Sequence, residues 1–319
     1  MYNIIGKIGR KIVSKIFLDR NNDYGATVFL SGVGRSGTTW VSNIINYKNE
    51  YRYIFEPFVA ARVEEASIFE YHQYIRPASS DPKFLNAATK ILCGSLKRNW
   101  WVDSANSKIF VTKRLIKDIR TNLMLKWINT NFPSIPIILL LRHPCAVTNS
   151  WLCLNWGKEA LGTRTDLEIC LSQQELIEDF LGPFKKTIIG TENDFEKHIL
   201  LWCILNYVPL KQFKEGQIHL AFYEEFCEKP MSEINRLFSF LNKDIDRSVI
   251  KNLSKPSLQS RKDSEIFSGK KVIDGWRKNI SREQIKRAVN ILSLFGLDSI
   301  YSKDSMPNID NAYKILKSN

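Results

Sequence analysis

The stretch "ATVFLSGVGRSGTTWVSNII", residues 26–45, decides the fold of this 319-residue chain. An apolar, β-branched run passes through a glycine-rich turn into an amphipathic helix. That layout aims backbone N–H groups and a helix N-terminus at an anion. Written against G-x-x-x-x-G-K-[ST], the turn reads Gly32-Val33-Gly34-Arg35-Ser36-Gly37-Thr38-Thr39. Thr38 therefore stands where a nucleoside triphosphatase places its lysine, and the charge has moved inside the loop to Arg35.

A second stretch, "PIILLL" at 136–141, reads as a buried strand. A triphosphatase commonly ends the corresponding strand in an aspartate that holds Mg²⁺; here it ends in Arg142, followed by "HPCAVTNS". A guanidinium at a strand's carboxyl end and the Ser150 hydroxyl in the following helix suit one gripped anion. Two phosphate-type sites without a metal box imply a ligand with separated anionic groups, handled without Mg²⁺.

Outward from these motifs, apolar runs at 26–30, 53–55, 108–112, 136–141 and 217–222 predict short strands. Helical periodicity covers 122–131, 146–155, 195–213 and 231–241. The alternation predicts an α/β fold: a P-loop-like three-layer α/β/α arrangement with a central parallel sheet flanked by helices. No linker or repeat divides the chain, so a single domain over 1–319 is expected. Residues 156–194 read as an insertion on the acceptor side. Residues 1–25 alternate Ile, Val and Phe with Lys and Arg. They contain no apolar run long enough for a signal peptide or a membrane span, and their pattern fits either a packed terminal helix or peripheral contact with an anionic membrane. The composition is that of an ordinary globular protein, 44% apolar with 12% aromatics. An excess of 46 Lys and Arg over 33 Asp and Glu, net +13, favours anionic ligands or surfaces without choosing among them. Six scattered cysteines with no C-x-x-C pair read as thiols in a reducing compartment, and no metal site is expected.

Together "GVGRSGTTW" and "LLRHPCAVTNS" resemble the 5′-phosphosulfate loop and the 3′-phosphate motif of sulfotransferases. These enzymes use 3′-phosphoadenosine 5′-phosphosulfate (PAPS) as co-substrate. "LAFYEEFCEKP" is similar to the family's strand followed by a Tyr-Glu-acidic segment, and "GKKVIDGWRKNIS" to the loop that closes over the nucleotide. The resemblance runs from about Val28 to Ser281 and implies roles residue by residue. Arg35 would contact the transferred sulfuryl group. Ser36, Gly37, Thr38 and Thr39 would donate to the phosphosulfate, and Trp40 would stack on the adenine. Arg142 and Ser150 would hold the 3′-phosphate, and Tyr223 would lie near the nucleotide. Lys270 and Lys271 would close over it, although the glycine between them and Gly275-Trp276-Arg277-Lys278 is missing and the Asp and Gly are swapped.

The base separates the branches of the family. Sulfotransferases acting on phenols and steroids place a histidine after a Lys-Thr pair that ends a strand; the comparable strand is taken as "KIFVTKRLIKD", with Lys113 at that histidine's position. "YRYIFEPF" resembles instead the Phe-Glu-Pro segment of carbohydrate sulfotransferases, and "VTKRL" their Lys-x-x-Arg-Leu strand. The resemblance thus implies Glu56 as base, with Lys113 a second cation at the sulfuryl group or a partner of Glu56. Among the four histidines, His72 in "FEYHQY" is the alternative base. The expected activity is sulfation of a hydroxyl on a carbohydrate or glycolipid by a cytoplasmic enzyme that binds no nucleic acid, with tryptophans such as Trp100, Trp101 and Trp156 available to stack on sugar rings. Two other readings stay open: a small-molecule or nucleotide kinase on the same strand–loop–helix, and a non-enzymatic basic protein that binds polyanions or membranes.

Overall fold

A computed structural model describes residues 18–19, 21–97, 99–106, 110–155, 165–250 and 273–318. Five strands form one sheet: β1 (Thr27–Gly32), β2 (Tyr51–Phe55), β3 (Lys113–Asp118), β4 (Ile137–Leu141) and β5 (His219–Phe222). Their order is β2-β3-β1-β4-β5, and every pairing is parallel.

Side chains alternate across a strand, so a buried sheet needs a cover on each face. On one face Phe29, Ile116, Ile137, Leu139 and Leu141 join a core with Ile199, Leu200 and Trp202. The last three belong to a long helix, α6 (Asp194–Gln212). On the other face Val28, Leu30, Leu115, Ile138 and Leu140 pack with Val41 and Ile44 of α1 (Thr38–Ile45) and with Leu237 and Phe238 of α8 (Pro230–Phe240). The expected α/β/α sandwich is therefore present. The remaining helices used below are α2 (Pro82–Leu92), α3 (Leu125–Asn131), α4 (Pro144–Cys153), α5 (Asp166–Ser172), α7 (Tyr223–Glu228), α9 (Arg282–Leu294) and α10 (Ile309–Lys317).

The strand expected at 108–112 is displaced. Phe110 and Val111 make only a two-residue pairing with Leu18 and Asp19, and the sheet strand is Lys113–Asp118. Its composition hides it: Arg114, Lys117 and Asp118 are charged yet buried along with Leu115 and Ile116. Hydrophobic periodicity cannot find a strand whose buried positions are ionic.

The described part of the expected insertion is helical and adds Leu167, Cys170, Leu176, Leu181 and Ile188 to the main core. Residues 1–17 and 156–164 lie outside the described residues. Among the described residues no helix is long and apolar enough to cross a membrane.

Candidate active site

In a parallel sheet the strands' carboxyl ends open onto one edge, and ligands collect where the strand order reverses. Here β1 and β4 are neighbours in register, Gly32 beside Leu140, so the loop after β1 and the residues after β4 emerge side by side. Packing forces two of the loop's glycines. A Cβ at Gly32 would come within 2.6 Å of the Leu140 carbonyl. One at Gly37 would come within 2.5 Å of the Tyr223 ring, at a φ of 99° that L-residues rarely adopt. Gly37 also caps α1, and having no side chain it accepts from none of the helix's first N–H groups. That end of the helix carries the partial positive charge that favours an anion.

The two phosphate motifs meet. Arg35 donates its Nε to Ser150 Oγ at 3.0 Å, and Arg142 donates Nη1 to the Arg35 carbonyl at 2.9 Å. The guanidinium expected over the sulfuryl group thus ties the loop to the second motif. The Arg142 guanidinium lies 4.1 Å from the Tyr223 ring centroid, and Trp40 packs edge-on to the same ring at 5.5 Å. Ser36, Thr38 and Trp40 are buried, while Thr39 is half-buried. Among the described residues, the buried Ser36 Oγ and Arg142 Nε have no hydrogen-bond partner here, nor has Thr148 Oγ1 on α4. Native interiors rarely leave such groups unsatisfied, and a multi-oxygen anion would satisfy them.

The segment resembling the nucleotide-closing loop is described from residue 273 onward; Lys270 and Lys271 lie outside the described residues. Trp276 is buried and stacks on His143 at 4.6 Å with planes 16° apart, which seats this segment behind the second motif. His143 is held by the Cys145 N–H donating to its Nδ1 and by Nε2 close to the Ser302 carbonyl. Burial pushes its imidazole down to about 4. Behind it, Glu224 accepts from the His143 N–H at 2.8 Å and from the Tyr301 hydroxyl at 3.0 Å, and burial raises its carboxyl to about 7.

Around the base the structure departs from expectation in two ways. Lys113 is not at the site. It opens β3 opposite Tyr51, at the amino edge of the sheet, and is exposed. Four residues of extended chain, about 13 Å, separate it from the carboxyl edge. The cation that does meet Glu56 is Lys117, whose Nζ donates to Oε1 at 2.5 Å, and Arg120 donates Nη1 to Oε2 at 2.6 Å. Register explains this: Phe55 lies beside Lys117, so Glu56, the residue after β2, emerges against the end of β3 and donates its N–H to the Lys117 carbonyl at 2.7 Å. Glu56 is at the site but both of its oxygens are engaged. Burial alone would raise its carboxyl, and Lys117 and Arg120 outweigh that, holding it below the usual value. A carboxylate so held anchors cations better than it accepts a proton.

The alternative, His72, also comes to this edge. Its Nε2 stands 3.6 Å from Asp166 Oδ2, and both residues are buried. Lys117, Arg120 and Asp166 escape sequence reasoning because nothing in "LIKDIR" or "TRTDLEI" distinguishes a buried charge from a solvated one.

A parallel α/β sheet carrying a lysine-free P-loop beside a guanidinium–hydroxyl anion motif defines a protein built to hold phosphate-like groups. The sulfotransferase domain family matches residues 26–293, and the chain belongs to that family; it is an enzyme, a sulfotransferase. Its resemblance to solved structures is distant. The sulfotransferase domain from the curacin biosynthetic pathway is 15% identical, covering 87% of this chain and 98% of that one, with a TM-score of 0.46. The sulfotransferase domain of the Synechococcus PCC 7002 olefin synthase is 15% identical over 83% and 94%, TM-score 0.45. A mouse sulfotransferase solved in complex with PAP is 14% identical over 88% and 86%, TM-score 0.42. No curated protein matches the chain.

Proposed function

We propose that the enzyme transfers the sulfuryl group of PAPS to a hydroxyl of a carbohydrate or glycolipid. The observation that carries the donor assignment is the junction of the two motifs: Arg35, Arg142 and Ser150, far apart in sequence, are joined by hydrogen bonds beside the glycine-capped N-terminus of α1. Ser36, Thr38 and Thr39 would donate to the phosphosulfate, and Arg142, Ser150 and the partnerless Thr148 hydroxyl would surround the 3′-phosphate. Tyr223 and Trp40 wall this region. Lys117 and Arg120, oriented by Glu56, supply positive charge where the leaving phosphate gains negative charge.

The acceptor side supports a sugar through aromatics. Trp101 donates its Nε1 to the Glu56 carbonyl at 3.2 Å and packs on Phe55, and Trp100 beside it is 69% exposed. The exposed Trp100 indole, packed edge-on against the Trp101 ring that is fixed to Glu56, offers a flat apolar face to a pyranose ring.

Calorimetric titration with 3′-phosphoadenosine 5′-phosphate (PAP), with ADP and ATP–Mg²⁺ as comparators, tests the donor. Tight metal-free binding of PAP that is lost in Arg142→Ala is expected. Equal or better binding of ATP–Mg²⁺ would overturn it.

A further inference from the structure

We propose that His72, oriented by Asp166, is the group that takes the proton from the attacking acceptor. The inference rests on the PAPS reading above and assigns the step that reading leaves without a base, since both Glu56 oxygens are engaged by cations.

His72 and Asp166 face a cavity of about 20 Å³ that is also lined by Gly34 of the phosphosulfate loop, Arg120 and Trp151. Four of its lining side chains each bury a polar atom with no partner: His72 Nδ1, Asp166 Oδ1, Arg120 Nε and Trp151 Nε1. One small space next to the loop thus brings together donors and acceptors left for something polar, the size of a hydroxyl or a water. The orientation within the pair fits a base. With Nε2 turned to Asp166 Oδ2 at 3.6 Å, the carboxylate favours the tautomer that carries its proton on Nε2, which leaves the Nδ1 lone pair open.

The backbone points the same way. Outside glycine, positive φ values among the described residues fall on three asparagines, which tolerate them, and on Arg35 (73°), Glu56 (45°) and His72 (51°). The last three all stand at this edge. Strain held at non-glycine, non-asparagine residues is typical of positions fixed for chemistry. The groups facing the imidazole are Asp166 on α5, Arg120 after β3 and the neighbouring Tyr71, with His198 of α6 near Asp166. Burial works against the Asp166 carboxylate, and His72 with Arg120 outweighs it, so the group stays ionised below its usual range.

The step balances. The acceptor oxygen forms a bond to sulfur, and its proton passes to His72 Nδ1. The bond from sulfur to the bridging oxygen breaks, and the electron pair leaves on the phosphate of PAP.

The test uses the full chain with PAPS alone, water serving as acceptor and release of inorganic sulfate as readout. His72→Asn is the variant of choice, because asparagine accepts the positive φ at this position. It should slow sulfate release about 100-fold or more. Its affinity for PAP should stay within about threefold, because the imidazole pairs with Asp166 and not with Arg142 or Ser150. Asp166→Asn should slow release about tenfold through loss of orientation. Release at the wild-type rate in His72→Asn, or a loss that merely tracks weakened PAP binding or melting, overturns the assignment. Long-range ¹H–¹⁵N correlations of PAP-loaded protein decide independently of turnover. In the neutral imidazole a proton on Nε2 supports the base, whereas a proton on Nδ1 overturns it. Absence of PAP binding by the wild type would instead sink the donor reading.

Discussion

At the amino ends of β2 and β3, Arg52 and Arg114 lie side by side in register, buried with Asp103 and paired with the half-buried Asp19. At the carboxyl ends of the same two strands, Lys117 and Arg120 gather around Glu56. Both clusters put like charges together out of water, which is costly without partners. The first is fully connected. Arg52 donates Nε to Asp103 at 3.1 Å and Nη1 to the Gly94 carbonyl at 2.6 Å, and Arg114 donates Nε to the Thr27 hydroxyl at 2.8 Å and Nη1 to Asp19 at 3.0 Å. None of these residues leaves a buried side-chain atom without a partner. The second borders Arg120 Nε, His72 Nδ1, Asp166 Oδ1, Ser36 Oγ and Arg142 Nε, all without one. Buried charge alone therefore does not mark function in this molecule; what separates these two clusters is unfinished hydrogen bonding. One end is a clasp and the other a socket.

The comparison breaks most visibly at the clasp. Asp103→Ala leaves Arg52 without its main partner and should cost about 3–5 kcal/mol in denaturant unfolding. PAP affinity of the folded fraction should not change. A parallel loss of affinity would mean that the two ends are coupled and that the division is false. Arg142→Ala should do the reverse, weakening PAP about 100-fold, or about 3 kcal/mol, while unfolding shifts by only about 1 kcal/mol.

Glu56→Gln probes the boundary between the roles. The Glu56 carboxyl is depressed in the fold, so its contribution is present above the ordinary value near 4.5 and is lost as pH falls through the lower folded value. At pH 7 the variant should be about 2 kcal/mol less stable than the wild type. The difference should shrink steadily below pH 4.5 as the wild-type carboxyl protonates. A difference constant down to pH 3 would show that Lys117 and Arg120 do not hold the carboxylate.

How much of this was legible in the sequence follows from the same contrast. The loop at 32–39 and the Arg142–Ser150 pair were readable because their geometry is local: a turn, a strand end and a helix face set by short spacing. Four of the five strands fell at or within a few residues of the apolar runs that predicted them, since hydrophobic faces dictate them. The strand bearing Lys117 was misplaced because its buried positions are ionic. Its partners come from Glu56 and Arg120, which only the register of β2 against β3 brings together. His72 and Asp166 belong to separate segments, and no spacing rule links a loop histidine to the first residue of a distant helix. Sequence patterns report where water is excluded. They do not report which excluded charges will face each other.

The misplaced strand also provides the smallest and sharpest test. Lys113 and Lys117 share a strand, and a register shift of four residues would put Lys113 where Lys117 stands. With the register found here, Lys113 is an exposed side chain at the clasp end, opposite Tyr51, and Lys113→Ala should change unfolding free energy by no more than about 0.5 kcal/mol. Sulfate release from PAPS should be unaffected. Lys117→Met removes the cation that meets Glu56 Oε1 and should slow release while leaving a methylene stem of similar volume in the core. If Lys113→Ala silenced the enzyme and Lys117→Met did not, the register of β3, and with it the socket described here, would be wrong. The opposite result would place the catalytic cations at the carboxyl edge without appeal to any relative.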